Sequence, residues 1–377
     1  MTTYKQSIAF KTEARNEAIG TLPYADTSSI GTDLAGWNEF KKILDEGVQS
    51  GKVVTDDVTS TYALVYTVAG AYGGGVLSPS GDLHSIPLQA NRGQKISAAG
   101  TVSTYSLVYT AVIAYNGGAI SPNGDIHFAP FSANRGQKVS ASGLVSTYSL
   151  LYTGTQLYIG GVLAPNGDVH FVPFNAVRGQ KISSAGVVST YALAYTTTTS
   201  YVGGCLAPNG DIHFIPRSAR VGQKINTAGT VSTYALAYTT TDAYAGGIIN
   251  KDGDIHFTPY SARVGQKISI NGVVSTYALA YTTTTSYVGG CLAPNGDIHF
   301  IPYSANRGQK VSSAGIVSTY ALTYTTSATA YIGGATAING DIHFFPDNAN
   351  RGQIIHRNSG LNWSKGILLH PYLNKSP

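Results

Sequence analysis

The chain has 377 residues, 43% of them hydrophobic and only 11% charged, with 44 glycines and 26 tyrosines. That apolar share supports a packed core and argues against global disorder, and the Gly- and Tyr-rich, charge-poor mixture suits short strands and tight turns better than helical bundles. A net charge of +5 is a mild field for a chain this large and lacks the dense basic stripes of a nucleic-acid binder, so nucleic acid is not an expected partner.

The first thirty residues carry charges throughout and have no apolar h-region, so no cleaved secretory signal is expected. No run approaches the roughly 18 apolar residues of a membrane span. Residues 32–47 read TDLAGWNEFKKILDEG. Thr32 or Asp33 can cap a helix, Trp37, Phe40, Ile43 and Leu44 fall on one face, and Gly47 can stop it. Residues 1–53 are therefore expected to form an extended arm and an amphipathic helix, docking on a protein assembly partner through residues 1–50.

The next 300 residues repeat. Gly-Asp recurs with Asp at 82, 125, 168, 211, 254, 297 and 341, and Ser-Thr-Tyr with Tyr at 62, 105, 148, 191, 234, 277 and 320. A unit of about 43 residues reads VSTYALAYTTTTSYVGGCLAPNGDIHFIPRSARVGQKINTAG. YVGGCLAP is a strand, Asn-Gly predicts a type I′ hairpin turn, and DIHFIP, GQKI and STYALAYT are three further strands. Four short antiparallel strands per unit is the size of a propeller blade. Ile212 and Phe214 point to one face of the second strand and His213 and Ile215 to the other, as expected of a blade covered on both faces. The first and seventh units stay near consensus, whereas a solenoid needs atypical caps. The prediction is an all-β, seven-bladed β-propeller over residues 54–355. Residues 356–377 form a tail with enough apolar side chains to pack on the propeller or a partner.

GGCLAPNGDIHFIPRSARVGQKI resembles the NHL-type propeller repeat, in which a strand, a D-G or N-G turn, a second strand and an R-I-Q third strand follow in order. The likeness covers about twenty-three residues of each unit and departs in the STYxLxYT strand. It implies that GGCLAP lies beside the axis, where paired glycines suit close backbone approach, and that STYALAYT is outermost. Residues 60–67 should then complete the seventh blade and close the ring, removing two exposed edges. The near-uniform array also resembles tandem-repeat proteins of large phages and other viruses.

Seven histidines recur at 84, 127, 170, 213, 256, 299 and 343. One per blade, away from the axis, they cannot converge on a metal, and no metal or cofactor is expected. The pairs Asp125 and His127, Asp168 and His170, Asp211 and His213, Asp254 and His256, and Asp297 and His299 are expected to form buried networks with the Ser or Thr of the STY strand, resembling those of WD-repeat blades. A Ser-His-Asp set is formally present in every blade. Seven copies without one preorganised site, and no P-loop, HExxH or GxSxG, lead to the expectation that the chain is not an enzyme. Cys205 and Cys291, two blades apart, are expected to be free and buried.

Binding candidates lie on one rim. Each unit keeps an arginine between the second and third strands, at Arg92, Arg135, Arg178, Arg220, Arg263, Arg307 and Arg351. The hydroxyl-rich loop on the same side ends in Tyr72, Tyr115, Tyr158, Tyr201, Tyr244, Tyr287 and Tyr331. Together these groups can hold a glycan or an anion by stacking and charge-assisted hydrogen bonds, or they can serve only as inter-blade packing. The expected function is a non-enzymatic structural or attachment propeller of a virion, tail or capsid, docking through its N-terminal segment and presenting a ligand- or host-binding face; the alternative is a multivalent lectin with equivalent sites between blades, and an enzyme with its site at the channel mouth ranks last. The first implies a virion location, and otherwise the chain is expected to be cytoplasmic.

Overall fold

The computed structural model describes residues 57–325 and 329–356. The proposed docking residues Trp37, Phe40, Ile43 and Leu44, and the tail beyond 356, lie outside them. The described residues form 28 strands in seven four-stranded antiparallel sheets. Blades 1 to 6 span residues 72–106, 115–149, 158–192, 201–235, 244–278 and 287–320. Blade 7 takes three strands from residues 331–356 and its outer strand from Val58–Ala63 at the other end of the array. The closing strand is shorter than the expected 60–67 and begins two residues earlier. Each inner strand touches the inner strands of both neighbours, and the last touches the first, so the ring is closed. No helix occurs among the described residues.

Blade 4 shows why the sequence folds this way. Its second strand, Ile212–Pro216, is buried on both faces because a blade lies on either side. The preceding hairpin differs from the type I′ turn expected of Asn-Gly. Gly210 N donates to Ala207 O at 2.9 Å and Ala207 N to Asp211 O at 2.8 Å, and only Gly210 is left-handed, at φ 87°. This is a type I turn followed by a glycine bulge, with Pro208 at the first central position, where its fixed negative φ fits. On the inner strand the register slips between Tyr201 and Gly204. Gly203 occupies this bulge at φ 70°, and a Cβ on it would lie 3.3 Å from Gly246 Cα of the next blade. Small residues are thus required where inner-strand backbones meet.

Two further features repeat in every blade. The glycine of the third strand lies under the tyrosine of the outer one. Gly222 is registered with Tyr234, and a Cβ there would come 2.1 Å from the ring. The ring therefore lies flat over bare backbone. Gly352 has the same relation to Tyr62, so the seam repeats the packing of the other blades.

The next residue, glutamine, is buried in all seven blades. Gln223 Oε1 accepts the amides of Ala194 and Tyr195 at 2.9 and 2.7 Å. Those amides belong to the link arriving from blade 3. Gln94 does the same for Val65 and Tyr66 of the link from the closing strand. Each glutamine thus clamps the crossing chain onto its own blade and satisfies backbone donors that no strand partner reaches.

Gln223→Leu keeps the volume but leaves two amides without their acceptor. It is expected to cost about 1–3 kcal/mol in urea unfolding. A change under about 0.5 kcal/mol would show that the clamp is dispensable. Gly222→Ala forces Tyr234 off its seat and is expected to cost a similar amount, about 1–3 kcal/mol, through overpacking.

Candidate functional site

The ring has two faces. One carries the inter-blade links and the second-to-third-strand loops; the other carries the Asn-Gly and Ala-Gly turns. On the link face the expected arginines, Arg92, Arg135, Arg178, Arg220, Arg263, Arg307 and Arg351, are all exposed. The expected tyrosines are not beside them. Tyr72, Tyr115, Tyr158, Tyr201, Tyr244, Tyr287 and Tyr331 are each 0% exposed, which removes them from any ligand surface. Six of them donate a phenolic hydrogen bond to the third strand from below, as Tyr158 does to Arg178 O at 2.8 Å and Tyr201 to Val221 O at 3.1 Å. Burial pushes their phenol pKa values well up. They support the rim and do not form its surface.

The tyrosine that meets the arginine is a different one. Arg135 lies 5.8 Å from the centroid of Tyr109, Arg307 5.0 Å from Tyr281, and Arg351 4.8 Å from Tyr324. These are the second tyrosines of STYxLxYT, half-buried on the link. The signal was present in the sequence, but that segment reads as continuous strand. The outer strand in fact ends at its first tyrosine or the residue after it, and the rest turns onto the link face.

On the turn face the recurring Asp and His pair differently from the expected network. The aspartate takes the third-strand lysine. Asp125, Asp168, Asp211, Asp254 and Asp297 lie 2.6–3.4 Å from Lys138, Lys181, Lys224, Lys267 and Lys310. The histidine takes the outer-strand tyrosine, not the Ser or Thr beside it. His127, His170, His213, His256 and His299 Nδ1 lie 3.2–3.3 Å from the hydroxyls of Tyr148, Tyr191, Tyr234, Tyr277 and Tyr320. Register explains both pairings: Lys224 stands opposite His213, placing its ammonium over Asp211, and the bare Gly222 lets Tyr234 lean over to the imidazole.

Between blades this network forms the floor of a crevice. One, of about 90 Å³, has Asn209, His213, Lys224 and Tyr234 of blade 4 on one side and Ile255, Ile268, Ser269 and Ile270 of blade 5 on the other. Another of the same volume repeats it one blade earlier, with Asn166, His170, Lys181 and Tyr191 facing Ile212, Ile225, Asn226 and Thr227. Each joins amide, ammonium and hydroxyl groups to an aliphatic wall. Cys205 and Cys291 are free and buried, their thiols pushed up to about 12. No three His, Cys, Asp or Glu side chains among the described residues could hold a metal ion.

No protein-family model matches the chain, and no curated protein sequence does. Solved structures match its fold. A catalytically inactive virginiamycin B lyase from Staphylococcus aureus, crystallised with quinupristin, is 19% identical, with a TM-score of 0.69 over 80% of this chain and 99% of that one. The WD40 propeller domain of Doa1 is 13% identical, with a TM-score of 0.62 over 82% of this chain and 100% of that one. The extracellular domain of a hybrid two-component system from B. thetaiotaomicron is 9% identical, with a TM-score of 0.62 over 81% of this chain and 42% of that one. At these identities the likeness is one of fold. It corrects one expectation: an enzyme is built on this ring, so near-equivalent blades are no ground for calling the chain non-enzymatic. Among the described residues there is no helix long and apolar enough to cross a membrane.

The buried histidines predict a pH dependence. Burial, reinforced by the neighbouring lysine in five of the six, pushes His84, His127, His170, His213, His256 and His343 down to about 4. The unfolded chain takes up these protons near 6.5 and the folded ring refuses them until about 4, so stability falls as pH drops through that window. Asp347, pushed up to about 6 by burial, opposes this as one group against six. The urea midpoint is expected to decrease steadily from pH 7 to pH 5. A flat midpoint would mean that the imidazoles are solvated.

Proposed function

We propose that the chain is a multivalent carbohydrate-binding propeller whose ligands sit in the crevices between blades on the turn face. The observation that supports this reading is the repetition of one concave site, with the same polar floor and an aliphatic wall, at successive blade junctions. A sugar ring has an apolar face and a girdle of hydroxyls. Ile270 suits the former; Lys224, Asn209 and Ser269 suit the latter. Because Asp211 neutralises Lys224, the floor favours neutral hydroxyls over a strong anion. Several weak sites on one rigid ring give avidity toward a glycosylated surface. The exposed arginines lie on the opposite face and are not needed for this contact.

Attachment to a larger assembly through residues 1–50, a virion included, is a separate proposal resting on the amphipathic pattern of residues 32–47. Deleting residues 1–50 is expected to abolish that assembly and leave the ring's circular dichroism and glycan binding unchanged.

Thr227 and Ile270 are exposed positions on the walls of two crevices. The double variant Thr227→Arg and Ile270→Arg is expected to fill both and to lower the number of sugars bound per ring by two, measured by calorimetry with a glycan selected on an array. A blank array, or unchanged stoichiometry in the double variant, would reject the crevices as carbohydrate sites.

A further inference from the structure

On the link face, one position in each blade departs from the repeat. The residue after the second-strand proline is Leu88, Phe131, Phe174, Arg217, Tyr260, Tyr303 and Asp347 in blades 1 to 7. It packs beside the inner strands, and hence at the mouth of the axis: Phe131 and Phe174 cluster with Val202 and Ala245, bordered by Leu88, Tyr260 and Val288. The rings form an arc from blade to blade, with Phe131 and Phe174 at 5.9 Å and Tyr260 and Tyr303 at 5.9 Å between centroids.

Blade 4 shows what this arc holds. The Arg217 guanidinium lies 4.5 Å from the centroid of Tyr260 and 5.8 Å from that of Phe174. Its Nε donates to Asp242 Oδ1, a residue of the next link, at 2.6 Å. One cation thus sits between two aromatic faces and a carboxylate, an arrangement favoured by the ring quadrupole and by charge.

At blade 7 the carboxylate and the aromatic neighbour recur, and the cation does not. Asp347 is half-buried next to Tyr303, and both hydrogen-bond Thr329. No cationic side chain acts on it among the described residues. The link residue facing it is Gly70, where blade 4 has Asp242, and the neutral Gln89 amide stands beside it, its Nε2 2.5 Å from where a Cβ on Gly70 would be. A Cβ on Gly70 would stand 3.8 Å from Asp347 Oδ1.

We propose that the axial mouth of the link face binds one organic ammonium cation per ring, held by the Asp347 carboxylate and the Tyr303 ring. The site is independent of the carbohydrate crevices, which open on the other face. Leu88, half-buried on the neighbouring blade 1, offers an apolar continuation for the body of such a cation. The titratable groups facing Asp347 are Tyr303, pushed up to about 12 chiefly by burial, and beyond it Arg217, already paired with Asp242.

The test is calorimetry on the full chain with choline chloride and its neutral isostere 3,3-dimethylbutan-1-ol. Choline is expected to bind once per ring and at least tenfold more tightly than the isostere. Asp347→Asn should abolish that preference while leaving the circular dichroism unchanged. In the unaltered chain, choline affinity should fall as pH drops through about 6, where the Asp347 carboxyl takes up its proton. The double variant Thr227→Arg and Ile270→Arg should bind choline as the parent does. Absence of choline binding, equal affinity for the isostere, a preference that survives Asp347→Asn, a pH-independent affinity, or loss of choline in the crevice variant would each overturn the proposal.

Discussion

The ring depends on a buried amide. Each blade ends in an outer strand whose chain must cross to the axis to begin the next blade, and that crossing exposes backbone amides with no sheet to accept them. Gln94, Gln137, Gln180, Gln223, Gln266, Gln309 and Gln353 supply the acceptor in turn, each from the third strand of the following blade. An unsatisfied amide in this interior would cost more than most single contacts return. The clamp couples the covalent order of the blades to their spatial order.

Other repeated features follow from what the clamp leaves free. Beside each glutamine stands a glycine, and its missing side chain admits the outer-strand tyrosine. The tyrosine leans to the histidine, the lysine opposite that histidine reaches the aspartate, and the crevice floor is complete. On the link face, the fully buried inner-strand tyrosine props the strand from which the arginine emerges. The two faces thus differ chemically although the same four strands build them. One carries concave, charge-balanced junctions, between blades 3 and 4 and between blades 4 and 5. The other is a basic rim around a mouth whose residues vary from blade to blade.

That variation changes how the array is read. In a near-perfect repeat, conserved positions mark what every blade needs, namely strand pairing, clamp and close packing. Positions that escape the repeat mark where the ring has a front and a back. The mouth runs from Leu88 through two phenylalanines, an arginine and two tyrosines to Asp347. This is the asymmetry that a single ligand requires.

Much of the fold was legible in the sequence because a propeller is specified locally. The 43-residue period, the turn glycines and the strand alternation act within one blade, and the closing strand follows from where the period is cut. Less of the site was legible. The inner tyrosines look like ligand groups until the bulge at Gly203 and its equivalents places them under the third strand. The Asp and His look like partners until register hands one to lysine and the other to tyrosine. The last residues of STYxLxYT look like strand until they turn onto the link face and meet arginine. The scattered identities of residues 88 to 347 acquire a meaning only when the ring brings them together. The sequence by itself determined the number of blades, their strand order and the closure, since these rest on short-range propensity and repetition. The tertiary structure alone decided which polar groups are buried, which are paired and which face one another across blades, since these depend on strand register and on contacts between residues 13 to 28 positions apart, beyond the reach of local propensity.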